Sequence, residues 1–390
     1  MIGGAEHSVK LLAEGLVEAG HKVAVLCESV DQEGKQGDYL YEQINDVEIY
    51  RDIDPILHCN SKIKKFFRRI KTFKNNHCAK LCGKIDREFH PDVVHTNNLQ
   101  FLSTYVWQYF YQKNIPVIFT ARDYWLLDHS CVYNRSNKFL NFFYKKYYRK
   151  QSNRFVDILA APSQLTLDIF KKENYFKNIP CIRVVNCIRL DVRETQCLIK
   201  KRELLQTDCV RFLYVGALGA YKGIINLLQA FHNVENPNIH LTICGRGEEE
   251  QAVLRYCGID NRIEYLGQLN SEELKQIYIS HDVLIAPSVW DEPFGRIVIE
   301  ANQFGLPVIG SDRGGIKEIL ESTRTGEIFP AADKEKLADM IKRFSDRDVI
   351  KAYFPAILES IEEYSLEKQI ENYIGVYKQA IEIKNNKKKG

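Results

Sequence analysis

The stretch of residues 283–315 constrains the fold most, because it alternates short apolar runs with turns that contain glycine or proline. Residues 283–286 form an apolar run followed by a turn, which is typical of a buried parallel strand. Pro293 suits the first position of a helix, where its missing N–H is no loss, and Gly305 suits the position just after the helix. Residues 307–310 predict the next buried strand. A helix that begins beside a glycine-containing loop, at the carboxyl end of a parallel strand, indicates an anion-binding site.

Two acids frame the predicted helix. Glu292 lies before it and Glu300 lies eight residues further on, which corresponds to roughly 12 Å at helical rise. That distance is close to the separation of the sugar and the ribose in an extended nucleotide-sugar. By spacing alone, the favoured interpretation is two ordinary solvated acids, because Glu292 is favourable near a helix N-terminus in any case.

The wider string around the two acids resembles the donor-site signature of glycosyltransferase family 4. It reads Pro-Ser-x-Trp-x-Glu-Pro-Phe-Gly-x-x-x-x-Glu-Ala from Pro287, then Gly-x-Pro-Val-Ile from Gly305 and Gly-Gly-Ile-x-Glu-Ile from Gly314. The resemblance implies a retaining, metal-independent transferase of the GT-B fold. In that α/β fold, two Rossmann-like, doubly wound domains face each other across a cleft.

The resemblance covers nearly the whole chain, and the length of 390 residues fits two domains. It implies an acceptor-side domain over residues 1–195 and a nucleotide-sugar-binding domain over residues 196–365. Residues 366–390 would form a helix that returns to the first domain, followed by a basic tail. Residues 190–208 are charged and lack a strand period, so they predict a linker.

The N-terminus departs from the family pattern. Gly3 and Gly4 lead straight into a predicted helix, and only Met1 and Ile2 precede them. In the family, such a glycine pair follows the first strand, and its backbone approaches the donor phosphates. We therefore expect the first strand to be missing, which would open the middle of a doubly wound sheet. We expect the natural start to lie roughly 8–15 residues upstream, with a damaged first domain as the alternative.

Two further positions depart from the family where it contacts the transferred sugar and the leaving diphosphate. Arg122 occupies the place of a histidine that approaches the sugar, and it is suited to a phosphate or carboxylate or to a structural ion pair. Ala217 occupies the place of an arginine that clamps the diphosphate together with a lysine, here Lys222. Arg296 or Arg122 is the expected replacement for the missing cation.

The resemblance implies a role for each matching residue. Glu292 would bind sugar hydroxyls and Glu300 the ribose, while Lys222 and the backbone N–H groups near Gly295 stabilise the leaving diphosphate by preorganised electrostatics. No metal and no cofactor is expected beside the nucleotide-sugar. The predicted catalytic residues are Glu292, Lys222, Arg122 and Asp123. The predicted donor-binding residues are Gly3, Gly4, Gly216, Lys222, Gly245, Gly247, Phe294, Gly295, Arg296 and Glu300.

Two basic segments, residues 61–84 and 138–154, interleave cations with aromatic residues although the net charge is only +3. This pattern is typical of helices on an anionic membrane surface, and a solvated face over a packed apolar face is the alternative. Nucleic acid is disfavoured, because the donor-site motifs imply another ligand. No apolar run is long enough to span a membrane, and 11 scattered cysteines favour reduced thiols. We expect a cytoplasmic location, with the basic segments contacting the inner face of the cell membrane.

Taken together, these patterns predict a glycosyltransferase that uses a nucleoside-diphosphate sugar, with UDP as the first expectation. The acceptor would be a glycan or a lipid-linked glycan in cell-surface polysaccharide synthesis. A catalytically impaired scaffold protein of the same fold is the alternative that Ala217, Arg122 and the missing strand support. A metal-dependent transferase that uses an Asp-x-Asp motif, at Asp52 or at Asp346, is a weaker alternative because the motif is so short.

Overall fold

The computed structural model describes residues 4–28, 39–53, 75–99, 102–128 and 138–389. The chain divides into two compact units, one formed by Met1–Val185 with Leu366–Gly390 and the other by Asn186–Ser365. None of the helices in the described part of the chain is long and apolar enough to cross a membrane.

The first unit combines strands and helices in two sheets. Its elements before the last helix are β1 (Ala24–Glu28), β2 (Tyr39–Ile44), β3 (Val47–Asp52), β4 (Val94–Thr96), β5 (Val117–Thr120), β6 (Ile158–Ala161) and β7 (Cys181–Arg183), with helices α1 (Gly4–Glu18), α2 (Asn76–Phe89), α3 (Tyr105–Gln112), α4 (Lys138–Phe155) and α5 (Gln164–Lys172). One sheet has the order β1-β3-β2, and the other is parallel with the order β4-β5-β6-β7. Strands β5 and β6 are buried along their whole length, as expected inside a parallel sheet covered on both faces.

The two sheets of the first unit are not joined by a strand within the described residues. Strands β1 and β4 each lie at the edge of their own sheet. In a doubly wound sheet the first strand lies between the two positions that β1 and β4 occupy. In the described residues the two sheets stay separate, and the absence of a first strand stays a prediction. Gly4 begins α1, whereas Gly3 lies outside the described residues.

The second unit is built on one sheet of six parallel strands in the order β10-β9-β8-β11-β12-β13. Its strands are β8 (Val210–Val215), β9 (Ile239–Cys244), β10 (Ile263–Gly267), β11 (Val283–Ala286), β12 (Val308–Ser311) and β13 (Gly326–Phe329). Its helices are α6 (Val192–Glu203), α7 (Ile224–His232), α8 (Glu250–Ile259), α9 (Ser271–Ser280), α10 (Arg296–Gln303), α11 (Gly314–Thr323), α12 (Lys334–Arg343), α13 (Arg347–Lys351) and α14 (Phe354–Ser360), with 3-10 turns at Ala220–Lys222 and Ile361–Tyr364. The inner strands β11 and β12, predicted from their apolar runs, are fully buried.

The segment predicted to be a linker, residues 190–208, is mostly helical. Helix α6 begins after Asp191, whose carboxylate caps it by accepting from the N–H groups of Arg193 and Glu194. Arg202 is buried, donates to the carbonyl groups of Tyr278, Ile279 and Phe304, and lies 3.7 Å from Asp282. The linker prediction was wrong because this helix is fixed by one buried charged head group rather than by an apolar stripe alone.

The last helix, α15 (Leu366–Lys389), belongs to the first unit. It packs against α1, where a Cβ atom on Gly15 would lie only 2.4 Å from the Ile370 side chain. Further along the helix, Lys384 Nζ lies 3.0 Å from Asp157 Oδ2, and both side chains are almost inaccessible to solvent. The helix is therefore an integral part of this unit rather than a peripheral tail.

Candidate functional site

The strand order of the second unit changes direction between β8 and β11. Strands β9 and β10 lie on one side of this point and β12 and β13 on the other. The loops that follow β8 and β11 therefore border the switch point, where sheets of this kind form a crevice at the carboxyl ends of their strands. The backbone N–H of Val289 donates to the carbonyl oxygen of Tyr221 at 3.0 Å and so joins these loops, and Ser288 Oγ lies 3.4 Å from the same oxygen. This joins the two predicted loops of the donor site.

Close backbone contact shapes this crevice. Gly223 has φ of 74°, and a Cβ atom there would lie 1.8 Å from the carbonyl oxygen of Pro287. Gly245, with φ of 143°, stands equally close to the carbonyl oxygen of Gly216. Both conformations favour glycine. The predicted glycines at 216 and 245 therefore lie side by side, and Gly247 lies against Leu218.

Replacing Gly223 by alanine should lower the free energy of unfolding by roughly 2–4 kcal/mol, because the methyl group requires both a left-handed backbone and a displaced loop. Thermal melting measures the loss. The control is Gly258→Ala in α8, where nothing lies within 4 Å of the added atom and alanine favours the helix. Equal melting temperatures for the two variants would contradict the close contact.

The predicted catalytic residues Lys222 and Glu292 form an ion pair. Lys222 Nζ lies 2.6 Å from Glu292 Oε1, and Ser288 Oγ donates to the same oxygen at 3.0 Å. The ammonium group also lies 5.4 Å from the ring centroid of Trp290, a distance at which a cation is attracted to an indole face. The lysine and glutamate side chains stay 24% and 15% exposed, so a ligand entering the crevice can reach both.

The helix that follows Glu292 begins later than predicted. Gly295 is its N-cap with φ of 84°, and Arg296 is the first helical residue. The prediction that Pro293 opens the helix was wrong, because the left-handed Gly295 interrupts the backbone and Phe294 turns inward, buried against Tyr364. The 12 Å inference for Glu292 and Glu300 loses its basis, because much of the intervening chain is not helical. The N-terminus of α10 nevertheless carries the N–H groups that suit an anion.

Glu300 lies one turn along α10 and contacts two donors. Arg296 Nε donates to Oε1 at 2.6 Å, and the hydroxyl group of Tyr278 lies 3.5 Å from Oε2. Burial, with the Glu300 charge as a second cause, raises the pKa of Tyr278 well above its usual value. The phenol is therefore neutral and acts as a donor to Glu300.

The other two predicted catalytic residues, Arg122 and Asp123, lie in the first unit, just after β5. Arg122 donates from Nε to Asn97 Oδ1 at 2.8 Å. Asp123 accepts from Asn98 Nδ2 at 2.7 Å and from the backbone N–H of Trp125 at 3.0 Å. Removal from water raises the pKa of Asp123 to about 6 despite these two donors, and Glu6 adds to the rise.

A polar network beside Arg122 escaped the sequence reasoning. His95 contacts Tyr377 through Nδ1 at 2.9 Å and Thr120 through Nε2 at 2.6 Å, and Thr120 continues to Tyr373 at 3.2 Å. Burial, with the charge of Arg122 as a second cause, lowers the pKa of His95 to about 3, so the imidazole is neutral. The available signals were a histidine within a predicted strand and two tyrosines four residues apart on the last helix.

The Asp-x-Asp motif at Asp346 has a structural explanation. Asp346 is the N-cap of α13 and accepts from the N–H of Asp348, so this pair starts a helix. The described residues contain no group of three or more His, Cys, Asp or Glu side chains suited to a metal ion.

Two doubly wound units, with a polar crevice at the switch point of the second, define the Rossmann-like class of α/β proteins. Within that class, the model of Glycosyltransferase Family 4 matches residues 2–191, and the model of Glycosyl transferases group 1 matches residues 197–353. The chain belongs to these group 1, family 4 glycosyltransferases, which confirms the resemblance seen in its motifs.

Similar proteins match nearly the full length of the chain. An uncharacterized 42.6 kDa protein in the cps region of Klebsiella pneumoniae is 26% identical, with 97% of this chain and 96% of the relative covered. Sucrose-phosphate synthase from Thermosynechococcus elongatus matches in structure with a TM-score of 0.75 at 21% identity, covering 97% of this chain and 93% of that one. HepE from Anabaena in complex with UDP matches with a TM-score of 0.70 at 17% identity, covering 97% of both chains. The GT-B fold class is thus confirmed.

Proposed function

We propose that this glycosyltransferase moves a sugar, with retention of configuration, from a nucleoside-diphosphate sugar to a glycan or a lipid-linked acceptor. The observation that carries the proposal is the pairing of Lys222 with Glu292 and of Arg296 with Glu300 at the switch point. A cation for the diphosphate, Lys222, and two acids for hydroxyl groups, Glu292 and Glu300, thereby lie on either side of one helix N-terminus. UDP is the first candidate nucleotide, since HepE was solved with UDP and with UDP-glucose. The cps-region relative favours a role in cell-surface polysaccharide synthesis.

In the proposed reaction, the bond between the sugar carbon and the diphosphate oxygen breaks while the acceptor oxygen bonds to that carbon from the same face. The departing phosphate takes the acceptor proton. Lys222 and the N–H groups at the start of α10 stabilise the negative charge that develops on the diphosphate. Glu292 binds sugar hydroxyl groups, and Arg122 and Asp123 hold the sugar or the acceptor. We propose no metal and no cofactor in these steps.

Thermal shift with UDP, GDP, ADP and their sugar conjugates tests the proposal. A ligand at about 100 times its dissociation constant adds roughly 2.7 kcal/mol to the free energy of unfolding. We expect one nucleotide to raise the melting temperature of the native chain, and the rise to be lost in Glu300→Ala. Glu321→Ala, which removes an exposed acid paired with Lys317 on the neighbouring helix, should keep the full rise. No response of the folded protein to any nucleotide would favour the scaffold alternative.

A second part of the proposal concerns α4, which lies in the basic segment 138–154. Phe142 and Phe143 are each 61% exposed, and the exposed face continues with Lys146, Lys150 and Arg154. Lys145 and Arg149 instead contact Glu173. Two exposed aromatic rings beside a row of cations suit the interface of an anionic bilayer. We therefore propose a cytoplasmic enzyme that contacts the inner face of the cell membrane through α4. Most of the other basic segment, residues 61–74, lies outside the described residues.

Vesicle flotation tests this contact. The native chain should float with vesicles that contain phosphatidylserine and should stay at the bottom of the gradient when the vesicles are neutral phosphatidylcholine, because each cation near an anionic surface adds about 1 kcal/mol. The double variant Phe142→Ser, Phe143→Ser should lose most of the flotation. Leu204→Ser, which removes another exposed apolar side chain, is the matched control. Equal flotation with both lipids would contradict the proposal.

A further inference from the structure

The contacts of Glu300 divide its carboxylate into two sides. On one side Arg296 donates to Oε1 and Tyr278 approaches Oε2. A carboxylate offers about four acceptor positions on its two oxygens, so one position on each oxygen is left over. The Glu300 side chain is 29% exposed, so these positions are accessible from the crevice. Each carboxylate oxygen of Glu300 is therefore held by one protein donor and can accept a second hydrogen bond from a ligand.

The position of Arg296 is not explained by helix stability. It is the first residue of α10, where the helix dipole disfavours a cation. The arginine also precedes its glutamate partner by four residues, which is the weaker orientation for such a pair. Its guanidinium group is nonetheless only 13% exposed and held at 2.6 Å from Glu300. A costly placement that orients one carboxylate points to a role for that orientation.

We infer that Arg296 and Tyr278 are positioning residues, which hold Glu300 so that its two free acceptor positions receive the vicinal hydroxyl groups of the donor ribose. The inference rests on the proposed function, because Glu300 binds ribose only if the crevice binds a nucleotide. A site built to accept two hydroxyl groups discriminates against a ligand that lacks one, because an acceptor that the bound ligand covers is then left unpaired. The two side chains thereby give the crevice its preference for ribonucleotides over 2′-deoxyribonucleotides.

The test compares dissociation constants for UDP and 2′-deoxy-UDP by calorimetry, with the GDP and ADP pairs measured alongside. The native chain should bind the ribonucleotide about 10–100-fold more tightly than its deoxy form, as expected when one acceptor loses its partner. Arg296→Ala should reduce this ratio to about 1–3, and Tyr278→Phe should reduce it in part. Arg296→Lys, which keeps a donor beside Glu300, should restore part of the ratio. Lys317→Ala breaks a pair with the same spacing on α11 and should leave the ratio unchanged.

The nucleoside uridine separates the inference from direct phosphate binding by Arg296. If Arg296 positions Glu300, Arg296→Ala weakens the binding of uridine and the binding of UDP by the same factor. If Arg296 contacts phosphate, the substitution weakens the binding of UDP but not the binding of uridine. The ratio of dissociation constants for the ribonucleotide and its deoxy form then keeps its native value, which overturns the inference. A native chain that binds UDP and 2′-deoxy-UDP equally well also overturns it. A native chain that binds no nucleotide contradicts the proposed function instead.

Discussion

Replacing Asp157 by alanine should destabilise the first unit by about 3–5 kcal/mol, because it leaves a buried ammonium group without its counter-charge. Lys384 is only 4% exposed, and its pKa is lowered by burial. Its Nζ atom lies 3.0 Å from Asp157 and above the ring of Tyr111. Asp157 also accepts from the N–H of Val117 at 3.0 Å, so the substitution strands a second donor. For a unit of this size the loss corresponds to a fall of roughly 6–20 °C in melting temperature by calorimetry.

Two further variants separate the buried charge from other effects of this substitution. Adding Lys384→Met to Asp157→Ala removes the stranded charge and should recover part of the stability, although each change alone is harmful. Lys387 contacts the same carboxylate at 3.2 Å but is 53% exposed. Lys387→Met should therefore cost less than about 1 kcal/mol. A double variant less stable than Asp157→Ala would show that packing, not charge, dominates at this position.

Replacing Lys222 by alanine should lower the turnover number by about 10²–10³-fold, as is typical when a preorganised group that stabilises transition-state charge is lost. Lys222 is the cation that contacts Glu292 in the crevice, and Ala217 offers no second charge in the loop after β8. Steady-state transfer from the nucleotide-sugar identified by thermal shift measures the effect. Lys275→Ala provides the control, because Lys275 forms a surface ion pair of similar length with Glu194.

Replacing Glu292, the partner of Lys222, should affect diphosphate binding and sugar transfer in different directions. In the absence of donor, Glu292 neutralises Lys222 at 2.6 Å, so an incoming diphosphate competes with the carboxylate for the same ammonium group. Glu292→Ala should therefore bind the free nucleoside diphosphate at least as tightly as the native chain while transferring sugar more slowly. Weaker binding of the diphosphate in Glu292→Ala would contradict this competition.

The sequence predicted those strands whose burial follows from a continuous apolar run within one segment. The apolar runs at β11 and β12 predicted the two inner strands, which the structure shows to be fully buried. These predictions succeed because a buried parallel strand requires a continuous apolar run. The family motifs then indicated the two loops that the structure brings together at the switch point.

Long-range polar contacts account for what the sequence did not reveal. Helix α6 looks like a charged linker until Arg202 is seen to donate to carbonyl groups more than 70 residues away. The network of His95 depends on Tyr373 and Tyr377 from the last helix. The start of α10 depends on the left-handed Gly295, which a proline at 293 obscures. Each of these features depends on segments that only the tertiary structure brings together. The hydrophobic periodicity of a single segment therefore cannot predict them.

The discontinuous first unit has a consequence for how the protein is made. Residues 186–365 form a complete unit between Val185 and Leu366, so a ribosome synthesises the whole second unit before it reaches α15. Until then His95 and Asp157 lack their partners Tyr377 and Lys384. Because domains generally fold as they emerge, the second unit should reach its native state first, although it is encoded later. The first unit then waits with these polar groups and with the surface of α1 around Gly15 uncovered, and we expect the nascent chain to need a chaperone most during this interval.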